Sequence, residues 1–418
     1  MANDETLLSV AVTPFTPRHA QLNKSSTWSD WMNGVKVYVR PAEFGNHEAA
    51  VTAMRQRAVL EDKSPLSMYF FSGPDAAALL QRLVIRNVDA FEVGVSKYIV
   101  FCDEDGHVVI DGVLFRVAED RYCYTSGPMD NWFAAHREGF DVEIEEETTD
   151  WGTLHLQGPA AFDIVTAATG QDWSDLRFGR GVQTQIAGVD IWLWRVGFGG
   201  ERGFEIWTPA DGSLPVFDLL VEAGRPHGLE HLGDVSEDVC RIEAGLVLPV
   251  IDYTLAGLDA PRQDNDPIGP QSVQWLATPN EIGAGRFIDF EKGDFIGRDA
   301  LAAEREGSGP RTMLVGIEVN WHDIVALQET LGRPPRVPHR VQRFPLLELR
   351  LDGTPVGHTG SIAWSTNVNG LIGLARIAPQ AAKAGSELKL AWREAGQEVG
   401  EVGATTRALP FVERKRKN

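Results

Sequence analysis

The chain has 418 residues, enough for two or three domains at roughly 150 residues each, and its 43% hydrophobic and 23% charged content is ordinary for a globular protein. Lys and Arg number 39 against 59 Asp and Glu, a formal charge of −20 that repels phosphate backbones and anionic lipid, so nucleic-acid and membrane partners are not expected. No apolar run approaches the ~18–20 residues of a membrane span and no secretory leader is visible; the separated Cys102, Cys123 and Cys240 form neither a disulfide framework nor a zinc knuckle and suit a reducing cytoplasm.

Residues 1–40 are polar with no sustained periodicity and read as an extension that wraps the body or frays. His47 to Leu60 carries Ala50, Val51, Met54 and Ala58 at helical spacing, which predicts a helix. Met68 to Phe71 is a short apolar run. Ser72-Gly73-Pro74-Asp75 then opens a helix through AAALLQRLVI, with Pro and an acid in its first turn. Tyr98 to Val117 reads as a β-hairpin turning at Asp103-Glu104-Asp105-Gly106. Arg121 to Thr125 and Leu154 to Gln157 are further short strands. Val189 to Val196 alternates, with Trp192 and Trp194 on one face and expected in the core. Helices are predicted over Leu214 to Ala223 and Val235 to Leu246. A Pro/Asp/Gly-rich stretch from Asp252 to Pro270 breaks the pattern, and Arg311 to Phe411 holds strands and turns with little that is helical. The order is α+β first and all-β last.

Four Gly between Gly197 and Gly203, in RVGFGGERGFEIW, follow a strand and force a bend. This is no dinucleotide fingerprint, because Arg202 occupies the last glycine position and a strand follows where a helix should. A plain hairpin turn with solvated Glu201 and Arg202 fits equally well. Glu205, flanked by Phe204 and Ile206, is less ordinary. A carboxylate there could accept bidentate hydrogen bonds from a planar N–H-rich ring. Asp111 stands in the apolar run VVIDGVLF, where a charge must be paired or titrate upward; the other reading makes Asp111-Gly112 a bulge or an edge. Arg241 on the helix after Val235 is open to pairing with an acid a turn away, such as Glu237. Tyr253, at the mouth of the Pro/Gly-rich break, is either a proton donor or a packed aromatic. The ten His show no metalloprotease-like spacing, so no metal is expected. The tail ERKRKN reads as a solvated basic end.

In register, these segments resemble the folate-dependent aminomethyltransferase family, whose type member is the glycine-cleavage T-protein. FSGPDAAALLQRLVIRNVD, CDEDGHVVIDGVLF, LHLQGPAA, RVGFGGERGFEIW, SEDVCRIEAGL, EIGAGRFIDFEKGDFIGRDAL and VGATTRALPF each match a family segment, in order from His47 to Phe411. Within the family, the Asp-Gly in the hairpin, GFEIWTP and LPVIDYT resemble the bacterial tetrahydrofolate-dependent aryl O-demethylases of vanillate, syringate and 3-O-methylgallate. There are departures. Ser126 stands where those demethylases carry an Arg suited to a benzoate, and Pro65-Leu66 replaces a His-His pair. The T-protein's Tyr-Thr before Gly-Glu has become Phe198-Gly199.

The resemblance implies an α+β, three-lobed fold around tetrahydrofolate with a C-terminal all-β barrel-like domain. It divides the chain into an extension over 1–40, a folate-binding region over 41–305 with the lobe at about 65–145 inserted in the other, and the barrel over 310–418. It implies that Glu205 and Glu201 bind the pterin edge, that Arg241 faces the folate, and that Asp111 lies by the reactive N5/N10 region. It further implies transfer of a methyl or methylene group from a methoxylated or methylenedioxy aromatic to N5, with Tyr253 protonating the leaving oxygen and Asp111 orienting the cofactor. The expected partners are tetrahydrofolate and a small aromatic, in a cytoplasmic monomer or homodimer. The rival readings are a glycine-cleavage aminomethyltransferase, a demethylase of a methylated amine or sulfonium, and a non-catalytic folate-binding protein.

Overall fold

A computed structural model describes residues 9–34, 36–257, 275–335, 346–394 and 397–415. Most of the Pro/Asp/Gly-rich stretch and the last three residues of the tail lie outside them.

The first lobe is a six-stranded sheet. Its order is Gly181–Ile186, Val189–Trp194, Gly203–Pro209, Trp151–Gln157, Val59–Asp62 and Glu230–His231. Helices Ala161–Thr169 and Ser213–Gly224 cover one face, burying Phe162, Ile164, Val165, Val216, Phe217 and Leu220 against Leu154, Leu156, Leu193, Phe204 and Ile206. After Asp62 the chain leaves this sheet and returns to it at Trp151. The excursion builds a second lobe, a five-stranded sheet in the order Ser96–Cys102, Val108–Ala118, Arg121–Ser126, Ser67–Ser72 and Glu143–Glu146. Its outer face packs on helices Ala76–Leu83 and Asp130–His136 through Leu79, Leu80, Leu83, Trp132 and Phe133.

The third lobe is a closed six-stranded barrel. Strands Met313–Val319, Gly370–Ile377, Thr354–Ser365, Leu347–Leu351, Glu387–Glu394 and Gln397–Arg407 neighbour one another in that order, and the last pairs back onto the first. Closure removes the free sheet edges. The α+β-then-β reading of the sequence is therefore met.

Three local expectations are corrected. The helix expected to reach Leu60 stops at Gln56. Arg57 leaves helical geometry (φ −137°, ψ −109°), and Val59–Asp62 is captured as a sheet strand by Trp151–Gln157, so tertiary pairing overrides local helical spacing. The barrel segment, expected to hold little that is helical, also contains the ten-residue helix Trp321–Thr330. The Asn320 side chain caps it by accepting the His322 N–H at 2.9 Å, and only Ile324 and Gln328 are buried, a stripe too narrow to read as amphipathic. The first forty residues meet the wrapping reading rather than the fraying one, since the described ones from Ser9 onward are built into the body. Ser9–Ala11, Trp28–Asn33 and Lys36–Pro41 form a small sheet, Phe15 is fully buried, Thr13 donates to Asp62 at 2.5 Å, and Arg18 grips Asp218 through two 2.6 Å bonds. At the other end Arg414 donates to the carbonyls of Ala244 and Gly245 at 2.6 and 2.9 Å, so the described part of the basic tail is docked rather than solvated.

Helix Asp234–Glu243 runs through the middle of the molecule and is buried from Ser236 to Glu243. Its charged side chains serve different lobes. Glu237 pairs with Lys63 and with Arg40 (3.1 Å). Arg241 meets Asp238 and Asp252, each at 2.6 Å, and Ser361 of the barrel at 2.6 Å. Glu243 accepts from Arg55 at 2.9 Å, Ser365 at 2.6 Å and Asn367 at 2.9 Å.

Between the extension and the first lobe, His19 and His231 pack with Phe44 and Phe217. Burial, reinforced by His19, lowers His231 from 6.5 to about 4, and burial lowers His19 as well, against the pull of Asp62. His231 stays neutral in the fold while the unfolded chain gains a proton, so its contribution is intact above pH 6.5 and is lost as pH falls toward 4, and His19 acts in the same direction. The melting temperature should therefore drop across that window, and less steeply in His231→Gln; identical pH slopes for the two proteins would contradict the assignment.

Candidate active site

Side-chain alternation in the first lobe produces a polar row on the face away from its helices. Glu61, His155 and Glu205 are direct neighbours on adjacent strands, and Trp194 lies beside Glu205 on the next one. Leu60, Leu154, Leu156, Phe204 and Ile206 point the other way, into the helix-covered core. Glu205 is 4% exposed and held at both oxygens. Trp207 Nε1 donates to Oε1 at 2.6 Å, and His155 Nε2 lies 2.8 Å from Oε2. Trp194 and Trp207 meet Phe115 of the second lobe, with ring centroids 4.8 and 4.6 Å apart, and Phe70 and Cys123 join this layer. Glu205 thus faces an aromatic seam between two sheets. Trp194 is fully buried in it, as expected for the core, whereas Trp192 is only half-buried and stacks on Trp194 at 4.9 Å.

Asp111 lies across that seam in the second lobe. Its strand sits between Ser96–Cys102 and Arg121–Ser126, and the pairing with Val100 and Ile99 runs unbroken through Asp111 and Gly112. This excludes a bulge; on the other side the ladder to Arg121–Ser126 begins only at Val113 and Thr125, so Asp111 and Gly112 stand at an open margin of the sheet there. Gly112 is required by packing, because a Cβ there would come within 2.5 Å of the Tyr124 ring and 2.6 Å of the Thr125 carbonyl oxygen. The Tyr253 hydroxyl donates to Asp111 Oδ1 and accepts the Asp111 backbone N–H at 3.2 Å; Tyr98 bonds the same carboxylate. Burial raises the Asp111 carboxyl despite both phenol hydrogen bonds. Burial and the Asp111 charge push the Tyr253 phenol well up, and Tyr98 likewise. Both phenols therefore keep their protons near neutrality.

The other two expected residues stand elsewhere. Arg241 has all its N–H donors engaged by Asp238, Asp252, Ser361 and the Leu246 carbonyl. Among its partners is Asp252, the chain neighbour of Tyr253. Glu201 is buried at the end of the Gly-rich bend, 3.5 Å from Arg55 Nη1, with Oε2 unpartnered among the described residues. Burial raises its carboxyl against the opposing Arg55 charge. Gly200 of this bend has φ +84°, and a Cβ would meet Ala244 at 2.7 Å.

Sequence reasoning missed His155, Glu61 and Lys63. His155 was discoverable by the rule that singled out Glu205, a polar residue between two apolar ones in a strand. Glu61-Asp62-Lys63 instead reads as a solvated charge run, and only the strand register buries it. There Lys63 lies 3.2 Å from Glu61 and bonds Glu237, with Trp31 and Phe198 rings 5.4 and 5.6 Å from its ammonium. Burial and the Glu237 charge push Glu61 well up, while Lys63 and Arg40 outweigh burial to hold Glu237 below the usual range. Asp103, Asp105 and His107 gather in the hairpin turn within possible metal-binding distance, but Asp103 is already capping that turn, accepting the His107 N–H at 2.7 Å.

A reduced pterin fits the donor set of the polar row. His155 Nδ1, Gln157 Nε2 and Trp194 Nε1 are buried without partners among the described residues, although buried polar atoms are nearly always satisfied. Gln157 shares this sheet face with His155, two residues along the strand. A planar ring carrying both N–H and carbonyl groups would complete these atoms and the remaining lone pairs of Glu205.

The family model described as the GCVT N-terminal domain matches residues 23–255, more than half of the chain and including part of the extension. An aminomethyltransferase of Streptomyces coelicolor is 28% identical over 355 residues, covering 83% of this chain and 85% of that protein. A sesamin methylene transferase of a Sinomonas species is 27% identical over 423 residues, covering 90% and 91%. The crystal structure of the glycine cleavage system aminomethyltransferase T of Bartonella henselae superposes with a TM-score of 0.77 at 20% identity, over 98% of this chain and all of that one. The three-lobed arrangement is thus shared.

Glu205→Gln should keep the Trp207 contact while removing the charge, and should weaken tetrahydrofolate binding by roughly 10- to 100-fold in calorimetry. Unchanged affinity would mean that the pterin is held by other residues.

Proposed function

The chain belongs to the GCVT family of folate-dependent one-carbon transferases, and we propose that it takes its carbon from an uncharged methoxylated or methylenedioxy aromatic and delivers it to N5 of tetrahydrofolate. The observation that carries this reading is the buried Asp111–Tyr253 pair, on a sheet face that elsewhere packs Phe115 against Trp194 and Trp207.

Bound against the polar row, tetrahydrofolate supplies the nucleophilic nitrogen that receives the carbon. The residues of this chain have the other half of the problem. As the carbon leaves, the bonding electrons stay on the aryl oxygen, and a phenolate is a poor leaving group. Tyr253 supplies the proton: its O–H turns from Asp111 to the departing oxygen. A phenol with a raised pKa is a weak acid, but the same dry surroundings raise the proton affinity of the leaving oxygen too. Asp111 holds the hydroxyl in place beforehand, and its own elevated pKa lets the pair recover a proton afterwards. The aromatic seam excludes water and strengthens each contact.

Charge pairing argues for a neutral donor. The buried cations Arg40, Lys63, Arg55 and Arg241 are each committed to protein carboxylates, so a benzoate would find no counter-ion among them. The methylene transferase relative, similar over nine-tenths of the chain, supports an aromatic donor as well. Aminomethyl transfer is the second reading, favoured by the names of several relatives. The −20 charge makes docking of an acidic carrier protein unfavourable.

Two measurements decide. Mass spectrometry after incubation with tetrahydrofolate should detect methyl- or methylene-tetrahydrofolate with neutral aryl ethers, and not with methoxybenzoates, methylated amines or glycine-cleavage intermediates. Tyr253→Phe should lower turnover by ~10²–10⁴-fold, the usual worth of a general acid, with little change in folate affinity. Wild-type turnover in that variant rejects the acid role.

A further inference from the structure

Between the two glutamates of the polar row stands an imidazole that the proposed reaction does not use. His155 is 4% exposed. Its Nε2 lies 2.8 Å from Glu205 Oε2, and a carboxylate can only accept, so Nε2 carries a proton and donates. In the neutral ring this leaves Nδ1 as a bare acceptor, and Nδ1 is buried with no hydrogen-bond partner among the described residues. The flanking groups do not serve it. Glu61, its neighbour on one side, is engaged with Lys63 and Glu237, and Glu205 is taken up by Nε2 and by Trp207.

We infer that His155 is both a positioning residue for Glu205 and a direct ligand contact, whose Nδ1 accepts an N–H from the edge of the bound heterocycle. The inference rests on the folate reading and adds a residue to it. One imidazole then does two jobs. Through Nε2 it fixes the rotamer of the carboxylate that grips the ring. Through Nδ1 it selects a ring edge presenting an additional N–H donor, because an acceptor at that position would leave two facing lone pairs and an unsatisfied buried nitrogen. The ligand class is a planar heterocycle with several adjacent N–H donors, as in 2-amino-4-oxo reduced pterins.

The test separates the two jobs on the full-length protein. In His155→Gln the side-chain amide nitrogen can reach the place of Nε2 and keep hold of Glu205, but nothing replaces Nδ1. Its melting temperature should stay near wild type while calorimetric affinity for tetrahydrofolate falls about tenfold. His155→Phe removes both contacts and should lose affinity further. In a ¹⁵N-histidine-labelled sample, the Nδ1 resonance missing from His155→Gln should report an unprotonated acceptor and move upfield when tetrahydrofolate is added; a purely structural histidine would not respond. Wild-type affinity in His155→Gln, or an Nδ1 signal indifferent to the ligand, overturns the assignment while leaving the folate reading intact. Failure of the wild-type protein to bind tetrahydrofolate would overturn both.

Discussion

The architecture depends on a helix that carries ionised groups through the centre of the protein. Glu237, Asp238, Arg241 and Glu243 are 8%, 3%, 1% and 0% exposed, and an isolated charge at such depth costs several kcal/mol. The cost is offset because Asp238 pairs with Arg241 along the helix and the other three find partners on different elements: Lys63 and Arg40 for Glu237, Asp252 and Ser361 for Arg241, Arg55 and Asn367 for Glu243. Removing one partner strands another charge in the interior. The lobes are thereby held in one relative arrangement, because any rotation would separate pairs that have no water to fall back on.

That rigidity sets the conditions for chemistry. Arg241 anchors Asp252, Asp252 precedes Tyr253, and Tyr253 bonds Asp111 on the second lobe, so the proposed proton donor is located by the same helix that joins the lobes. Across the seam, Glu205 is immobilised by His155 and Trp207. Both halves are held by buried hydrogen bonds, and preorganised dipoles in a dry layer act more strongly than mobile ones in water.

Much of this was legible in the sequence. Asp111 and Glu205 interrupt apolar strands, and a lone charge in such a run has to find partners or titrate upward: Glu205 is held by Trp207 and His155, and Asp111 is bonded by two phenols and raised by burial. Strand-like runs and turns indicated an α+β region followed by an all-β one, whereas the barrel and the inserted lobe were implied only by the family resemblance. What escaped notice depended on partners distant in the chain. Glu61-Asp62-Lys63 looks like a surface run until pairing with Trp151–Gln157 buries it. The first forty residues lack periodicity because they are held by single long-range contacts, such as Thr13 to Asp62 and Arg40 to Glu237, rather than by an apolar stripe. Arg241 was legible as a helix residue with an acid nearby, but its partners proved to be Asp238 and the distant Asp252 and Ser361, not Glu237.

The most direct measurement is a crystal structure of the protein soaked with tetrahydrofolate. The expected density is a pterin ring lying on the Trp194–Glu205–His155 face, its amino edge on Glu205 and its N5 turned toward Tyr253. Coenzyme bound at any other surface, with this face still closed by its own side chains, would contradict the assignment of the polar row as the one-carbon site.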